Sequence, residues 1–261
     1  MNYCRECGTE NKDDSEYCRK CGAPLREPRQ ERGWSARNIL PFVLMLLLMT
    51  VGAGVVLTSL QFGNVTGSGT LVTQEKNFSD FTIIRARMGF QIEIAQSKSY
   101  SVKITTDDNV IDDIQVTKQG ETLTIGLKPR TLGTYRSVTL KAEITMPDLS
   151  KIYLSSGTTA TAKGFRLTHD IELDLSSGSS VKMEGSANNL TIDASSGSNL
   201  DLSEFRVHNA NVELSGGSSA TINLDGRLDA DLSSGSTLYY IGDPTLGDIE
   251  TSGGSTVKKI G

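Results

Sequence analysis

Four cysteines near the amino terminus are the residues of this sequence whose types and spacing best suit chemistry. They occur in two copies of the pattern Tyr-Cys-x-x-Cys-Gly, and they are Cys4, Cys7, Cys18 and Cys21. The glycine of each copy can adopt a positive φ, so a tight turn directs two thiolates toward one point. Four sulfur ligands and no histidine favour Zn2+ in a closed tetrahedral shell. The spacing therefore predicts a structural zinc site that leaves no position for a substrate.

Two other uses of four cysteines remain open from the residues alone. A redox pair of the thioredoxin type needs a surrounding βαβ unit, and an iron–sulfur cluster also takes four thiolates. The two pairs are closer together than the roughly 15 to 20 residues of the comparable zinc motif, so the module is very small and should unfold without metal. Residues 1–24 resemble the short zinc ribbon at the amino terminus of many prokaryotic membrane proteins.

The composition indicates a folded protein that does not bind nucleic acid. Of 261 residues, 37% are hydrophobic and 22% are charged, which is an ordinary globular mixture. The net charge of −5 does not supply the positive field that a polyphosphate partner requires. All four cysteines lie at the amino terminus, so the rest of the chain has no thiol for a disulfide.

A single membrane-spanning helix is predicted between the cysteines and the rest of the chain. Residues 39–60 are 22 residues without a charge. As a helix they would extend about 33 Å, against about 30 Å for the hydrocarbon core of a bilayer. The run is apolar on all sides, which disfavours a buried core helix, and the long polar segment before it disfavours a cleaved signal peptide.

The flanking charges predict the orientation of this span. Arg26, Arg29, Arg32 and Arg37 precede it, whereas the first cation after it is Lys76. Because positive loops stay inside, we expect a cell-membrane protein with its ribbon in the cytosol, where thiolates stay reduced, and its head outside. Residues 25–38 are then a basic cytosolic linker, and residues 61–76, rich in Gly, Ser and Thr, are a flexible tether.

The carboxy-terminal half repeats one short motif. A Ser-Ser-Gly or Ser-Gly-Gly corner recurs at intervals of 21, 19, 20, 18 and 19 residues, and the corners begin at Ser155, Ser176, Ser195, Ser215, Ser233 and Ser252. The positions one and three before the corners and five and seven after them are almost wholly apolar, with Thr251 and Lys259 at the last corner as exceptions, and the positions before the corners alternate with polar residues. That alternation is typical of two strands that each bury one face.

A unit of about 19 residues cannot bury its own apolar face, whereas stacking such coils about 4.8 Å apart buries a continuous interior. We therefore predict an all-β fold, a β-helix (solenoid) head over residues 77–261 with its repeats at about 150–261. Residues 77–147 should begin or cap the solenoid, with a helical candidate near 107–112. The corner hydroxyls are expected to hydrogen-bond up and down the stack. They belong to Thr158, Ser179, Ser198, Ser218, Ser236 and Ser255.

One outward column of the repeats is acidic. Two positions before the corners lie Asp174, Asp193, Glu213, Asp231 and Glu250. Neighbouring charges about 4.8 Å apart repel by roughly 0.9 kcal/mol in water, which solvent and salt can absorb. We interpret the column as a solvated face, with a weak divalent-cation strip as the alternative, since carboxylate oxygens suit Ca2+.

Nothing else in the pattern indicates catalysis. His169 and His208 both lie seven positions before a corner but two coils apart, so their backbones should be about 10 Å from each other and they should not share a metal. The carboxylates follow the repeat instead of marking a cleft, whereas a glycan-active β-helix enzyme would need paired acidic groups in a cleft. We therefore expect a protein that is not an enzyme.

The head, from about residue 77 to 261, resembles the family of auto-transporter adhesins with a head GIN domain. The resemblance rests on the Ser-Gly corners, the opening residues 78–84 and Met146-Pro147-Asp148-Leu149. It implies an exported β-helix without assigned catalytic residues.

The sequence thus favours a membrane-anchored interaction module. Its partners would be the bilayer, through one helix, and an unknown extracytoplasmic protein or glycan. An envelope sensor or scaffold that recruits a cytosolic protein through the ribbon is the alternative, and a glycan-active enzyme is the third hypothesis.

Overall fold

The computed structural model of the protein describes residues 2–13, 15–25, 63–129 and 134–261. The predicted membrane helix over 39–60 and the basic linker, apart from Leu25, lie outside these ranges. Within them, no helical segment has the length and hydropathy needed to cross a membrane. The chain divides into two compact units, residues 1–60 and 61–261.

The first unit is small. In its described part, strands β1 (Asn2–Tyr3) and β2 (Glu10–Asn11) pair antiparallel, and Tyr17 bridges to Pro24. The rest of the unit that the structure describes consists of turns around the cysteines.

The second unit, the head, is built from strands and one 3₁₀ turn at Ile111–Asp113. Its first strands are β3 (Val65–Thr66), β4 (Leu71–Lys76), β5 (Ile83–Ala86), β6 (Gln91–Gln96), β7 (Ser101–Asp107), β8 (Ile114–Gln119), β9 (Thr122–Leu127), β10 (Tyr135–Arg136) and β11 (Leu140–Met146). The repeats supply β12 (Lys151–Leu154), β13 (Thr159–Arg166), β14 (Ile171–Leu175), β15 (Ser180–Ser186), β16 (Asn189–Ala194), β17 (Asn199–Val207), β18 (Asn209–Leu214), β19 (Ser219–Leu224), β20 (Arg227–Leu232), β21 (Thr237–Ile241), β22 (Thr245–Thr251) and β23 (Thr256–Lys259).

Two sheets form the walls of an all-β solenoid. The strand order is β23-β21-β19-β17-β15-β13-β6-β11-β7-β4 in one sheet and β22-β20-β18-β16-β14-β12-β5-β9-β8 in the other. From β12 onward each coil gives one strand to each sheet, and neighbouring coils pair in parallel. The predicted β-helix is confirmed.

The core consists of columns of inward side chains in register. Ile152 pairs with Leu173, Leu173 with Ile192, and Ile192 with Val212, and all four are buried. Each strand alternates buried and exposed residues because successive side chains point to opposite faces. The interior of one coil is therefore covered by the coils above and below it.

The segment before the repeats caps one end, as the sequence predicted. Strand β9 pairs parallel with β5, and β11 pairs parallel with β6, which extends both sheets. Beyond them the pairing becomes antiparallel, between β9 and β8, between β11 and β7, and between β7 and β4. The helical candidate is a short 3₁₀ turn only.

The predicted flexible tether is wrong for the described residues 63–76. Strand β3 pairs with β10, and β4 forms the edge of the ten-stranded sheet. The buried Asp107 carboxylate fastens this segment, since it accepts hydrogen bonds from the backbone N–H groups of Gly69 at 2.7 Å and Thr139 at 2.8 Å. The N–H of Thr139, and then that of Gly69, hold the pKa of Asp107 below its usual range. The low hydropathy of residues 71–76 therefore reflects an exposed edge strand.

The Ser-Gly corners turn the chain by two consecutive left-handed residues. Ser177 has φ 55° and Gly178 has φ 70°, and the same pair of values recurs in the other corners. The buried hydroxyl that follows donates within its own corner, as from Ser179 to the carbonyl of Ser176 at 2.8 Å. The predicted hydroxyl ladder is therefore confirmed in two corners only. Backbone groups make the axial bonds, such as Gly178 N–H to the carbonyl of Ser196 at 3.0 Å, and in two corners a hydroxyl of the next coil accepts an N–H.

Side-chain amides stack at the opposite corner. The Asp170 carboxylate accepts the Asn189 amide at 2.8 Å, Asn189 accepts the Asn209 amide at 2.9 Å, and Asn209 accepts the Arg227 N–H at 2.8 Å. This ladder joins successive coils where no corner motif repeats.

Gly185 is a position where only glycine fits, and its substitution tests the packing. Its φ is 137°, and a Cβ would lie 1.9 Å from the Phe165 carbonyl oxygen. Gly178 also has a positive φ but no atom within 4 Å of a Cβ. We expect Gly178→Ala to lower the free energy of unfolding by about 1 kcal/mol and Gly185→Ala by about 3 kcal/mol or more. Urea unfolding followed by circular dichroism measures both, and equal losses would contradict this packing.

Candidate metal centre and the charged faces of the head

The two cysteine turns of the amino-terminal unit have the same backbone structure. Gly8 N–H donates to the Cys4 carbonyl and Gly22 N–H to the Cys18 carbonyl, both at 2.9 Å. The two glycines have φ of 67° and 73°. The sequence repeat thus becomes a structural repeat, and each turn presents two thiols to the same point.

The four sulfur atoms converge on a volume that fits a metal ion. All lie within 4.8 Å of one another. The Cys4–Cys21 sulfur distance is 3.6 Å and the Cys7–Cys18 distance is 3.5 Å. A tetrahedral zinc ion with bonds of about 2.3 Å would separate its sulfur ligands by about 3.8 Å. The donor set and the spacing therefore fit Zn2+.

Hydrogen bonds around the sulfurs favour thiolates at some positions more than at others. The backbone N–H groups of Cys21 and Lys20 lower the pKa of Cys18 to about 6. At Cys21 the N–H of Ala23 lowers the pKa, but Cys7, burial and the other two thiols outweigh it and raise the value to about 12. Four thiols this close do not all ionise unless a cation neutralises them. The cluster is thus built for a bound cation.

The surroundings of the cysteines disfavour a thioredoxin-type redox pair and favour a metal site. A thioredoxin-type pair requires a βαβ unit, and residues 2–13 and 15–25 contain only β1, β2 and turns. Asn11, buried beside the cluster, donates to the Cys18 sulfur at 3.7 Å and accepts the Arg19 N–H at 3.0 Å. Asn11 thus orients the Cys18 thiolate by a hydrogen bond, as residues around the ligands do in other metal sites.

Five acidic residues of the head form one column on the outward face of the nine-stranded sheet. The register pairs Asp174 with Asp193, Asp193 with Glu213, Glu213 with Asp231, and Asp231 with Glu250. Burial, and then the charge of Asp193, raise the pKa of Asp174. The other four carboxylates are exposed. These features are those of a solvated acidic face, and the cation strip stays a prediction.

The two histidines lie on the surface, as predicted. His169 binds the Asp148 carboxylate through Nε2 at 2.8 Å, and His208 binds Asp225 through Nδ1 at 2.9 Å. Their backbones are separated by Asn188 of the coil between them, which hydrogen-bonds to both. The hydrogen bond to the Asp170 carbonyl, and then the Asp148 carboxylate, raise the pKa of His169.

The sequence analysis missed a basic cluster at the first coil. Arg85 lies next to Tyr153 in the same column as the acidic residues. Arg87 is the first residue of a corner in which Met88 and Gly89 have φ of 69° and 77°. Arg87-Met88-Gly89 thus replaces Ser-Ser-Gly. The alternation of Ile84 and Ala86 before a left-handed glycine was the available signal, but this corner has no serine.

The comparisons with known proteins agree with this architecture. A family model described as "Putative auto-transporter adhesin, head GIN domain" matches residues 80–244. The chain belongs to this family. A zinc-ribbon domain model matches residues 3–25, so both resemblances seen in the sequence are confirmed. No curated protein matches the chain.

A solved structure shows the same fold as the head GIN domain. A protein described as a putative adhesin from Bacteroides fragilis has a TM-score of 0.61 at 19% identity, over 76% of this chain and 100% of that one. A putative adhesin from Parabacteroides merdae has a TM-score of 0.44 at 19% identity, over 76% of this chain and 99% of that one. At these identities the likeness concerns the fold alone.

We expect the purified chain to hold one zinc ion per molecule through the four cysteines. Cys18→Ser should remove most of the metal and unfold the ribbon, since three thiolates do not close the shell, and the exposed neighbour change Arg19→Gln should do neither. Metal analysis by mass spectrometry and the amide dispersion of the ribbon in NMR spectra measure both effects. Stoichiometric zinc in Cys18→Ser, or iron in the parent chain, would contradict the assignment.

Relief of repulsion in the acidic column should stabilise the head GIN domain. Asp193 lies between two other carboxylates, so Asp193→Asn should raise the free energy of unfolding by a few tenths of a kcal/mol at low salt, and the gain should shrink near 1 M salt. Asp112→Asn, an exposed change outside the column, is the control in the same urea titrations. A salt-independent gain would contradict a repulsive origin.

Proposed function

We propose that the protein is a single-pass membrane protein that displays a non-enzymatic, adhesion-like head GIN domain outside the cell and keeps a structural zinc ribbon in the cytosol. The partner of the head would be an extracytoplasmic protein or glycan. The observation that carries the proposal is the in-register solenoid, whose successive coils present their outward side chains in aligned columns.

Such faces suit adhesion because a regular column offers many equivalent weak contacts to an extended or repetitive partner. Membership of a family described as adhesins supports the same reading. The two histidines also fit a non-enzymatic head. The side chains of His169 and His208 are 41% and 62% exposed, and each is paired with one carboxylate on open surface.

The membrane anchor rests on the sequence. The uncharged run over residues 39–60 and the arginines before it support a span with the amino terminus inside. A cytosolic ribbon agrees with its cysteine ligands, because a reducing compartment preserves free thiolates.

One observation favours a second candidate, an envelope sensor or scaffold. Tyr3 and Tyr17, at the same place in the two cysteine turns, are 60% and 65% exposed. Tyrosines are enriched in protein interfaces, because one ring combines apolar surface with a hydroxyl. A cytosolic protein that co-purifies with the full chain, and is lost with Tyr3→Ala and Tyr17→Ala, would support this role.

Labelling of cysteines in intact cells tests the proposed topology. The native cysteines all lie in the ribbon, so the parent chain is its own control. A membrane-impermeant maleimide should label Lys98→Cys, on an exposed turn of the head, before lysis. It should reach the parent chain only after permeabilisation and zinc removal. Labelling of the parent chain in intact cells, or protection of Lys98→Cys, would overturn the arrangement.

A further inference from the structure

The outward column of the nine-stranded sheet changes sign at one point. Asp193 and Asp174 are followed by Tyr153 on β12 and then by Arg85 on β5. A cavity of about 320 Å3 lies at this change. It is lined by Arg85, Arg87, Tyr153, Ser155, Asp174 and Ser176, together with two apolar residues. Its size is at the lower end of the range for small-molecule sites.

Arg85 is held in place by the face of an aromatic ring. Its guanidinium carbon lies 4.4 Å from the centre of the Tyr153 ring, which also receives the Lys151 ammonium at 4.1 Å. Lys151 is ion-paired with Glu172. Within the described ranges, no carboxylate pairs with Arg85. The ring therefore orients a guanidinium whose N–H groups remain available to a ligand.

Arg87 brings a second guanidinium to the same cavity. It takes the place that Ser155 and Ser176 occupy in the next two coils, since Ser155 N–H bonds to the Ala86 carbonyl and Ser176 N–H to that of Leu154. Its side chain lies across Gly126, where a Cβ would be 3.0 Å from Arg87 Nε. By contrast, Arg206 on the opposite sheet is paired with Asp225 at 2.7 Å. Among the described residues Arg87, like Arg85, has no such partner.

The other residues that line the cavity indicate a ligand with hydroxyl groups as well as an anionic group. Asp174 lies two strands from Arg85, which places their backbones about 10 Å apart and their side chains in the same cavity. A carboxylate is a hydrogen-bond acceptor and would repel an anion, but it suits the hydroxyl groups of a sugar. The hydroxyls of Ser155 and Ser176 can donate to and accept from the same ring. The set therefore matches a ligand with an anionic group at one end and hydroxyls at the other.

We propose that this cavity binds a uronic acid unit of an acidic glycan. The sugar carboxylate lies against the guanidinium groups of Arg85 and Arg87, and its ring hydroxyls face Asp174, Ser155 and Ser176. Two planar guanidinium groups offer paired N–H donors that match a carboxylate. The inference deepens the proposed adhesive function and rests on it, because it names the ligand class of the displayed head.

The test uses the full-length chain, kept in detergent, titrated with glucuronate and galacturonate by ligand-observed NMR or calorimetry. A single sugar should bind with a dissociation constant on the order of 1 mM. Glucose, which lacks the carboxylate, and acetate, which lacks the ring, should each bind at least about tenfold more weakly. Acetate binding as tightly as the uronates, or no binding of either uronate, would overturn the proposal.

Variants locate the binding. Arg85→Gln and Arg87→Gln should each weaken uronate binding about tenfold, and Arg85→Lys should restore only part of it because it keeps the charge without the fork of donors. Arg206→Gln is the matched control and should bind like the parent chain. All variants should melt at the parent temperature. Uronate binding that survives both Gln changes would overturn the site.

The outcome of the uronate titrations can be distinguished from the outcome of the cysteine-labelling experiment. Uronate binding by a chain whose head is protected from maleimide would refute display outside the cell and leave the cavity assignment standing. A labelled head that binds no uronate would refute the cavity assignment alone.

Discussion

Parallel pairing between successive coils is the interaction on which the head depends. No coil has an interior of its own: Leu173 is covered only because Ile152 and Ile192 lie in register on the strands beside it. A shift of one residue would turn every apolar side chain of a strand to the solvent. The register is secured by axial backbone bonds at the Ser-Gly corners and, in the coils between Asp170 and Arg227, also by the amide ladder through Asn189 and Asn209 at the opposite turn. The outward columns inherit the same order, so they are a consequence of core packing.

The sequence predicted the repeats well because period-two alternation and glycine corners are local signals. It failed where tertiary context decides. Residues 71–76 are a polar edge strand, and nothing in their composition distinguishes such a strand from a linker. The partner of the Ser179 hydroxyl was also beyond sequence reasoning, because the folded corner brings the carbonyl of Ser176 within 2.8 Å of it. The expected membrane span falls outside the described residues.

The two candidate sites differ in how far they could be predicted. The cysteines carry their ligand set in their spacing, so the sequence alone identified a centre whose sulfurs the structure brings together. The cavity beside Tyr153 depends on residues far apart in sequence, Arg85 and Asp174, which line one cavity only because β12 lies between β5 and β14. The arginine in the first corner is an exception to the repeat, and exceptions are invisible to a search for the repeat.

The spatial position of β5 and β6 bears on how the chain acquires its structure during synthesis. This first coil lies between β9 and β11 on one side and β12 and β13 on the other, and all four of those strands are made later. One edge of the coil therefore stays open until β9 and β11 have been made, at residue 146, and the other until β13 is complete, at residue 166. Until then residues that are buried in the fold, such as Ile84 and Ile92, are incompletely covered. Assembly cannot proceed coil by coil from the amino terminus. This coil is completed only by pairing with later strands on both sides, and such non-local pairing is associated with slow folding and with exposure to aggregation.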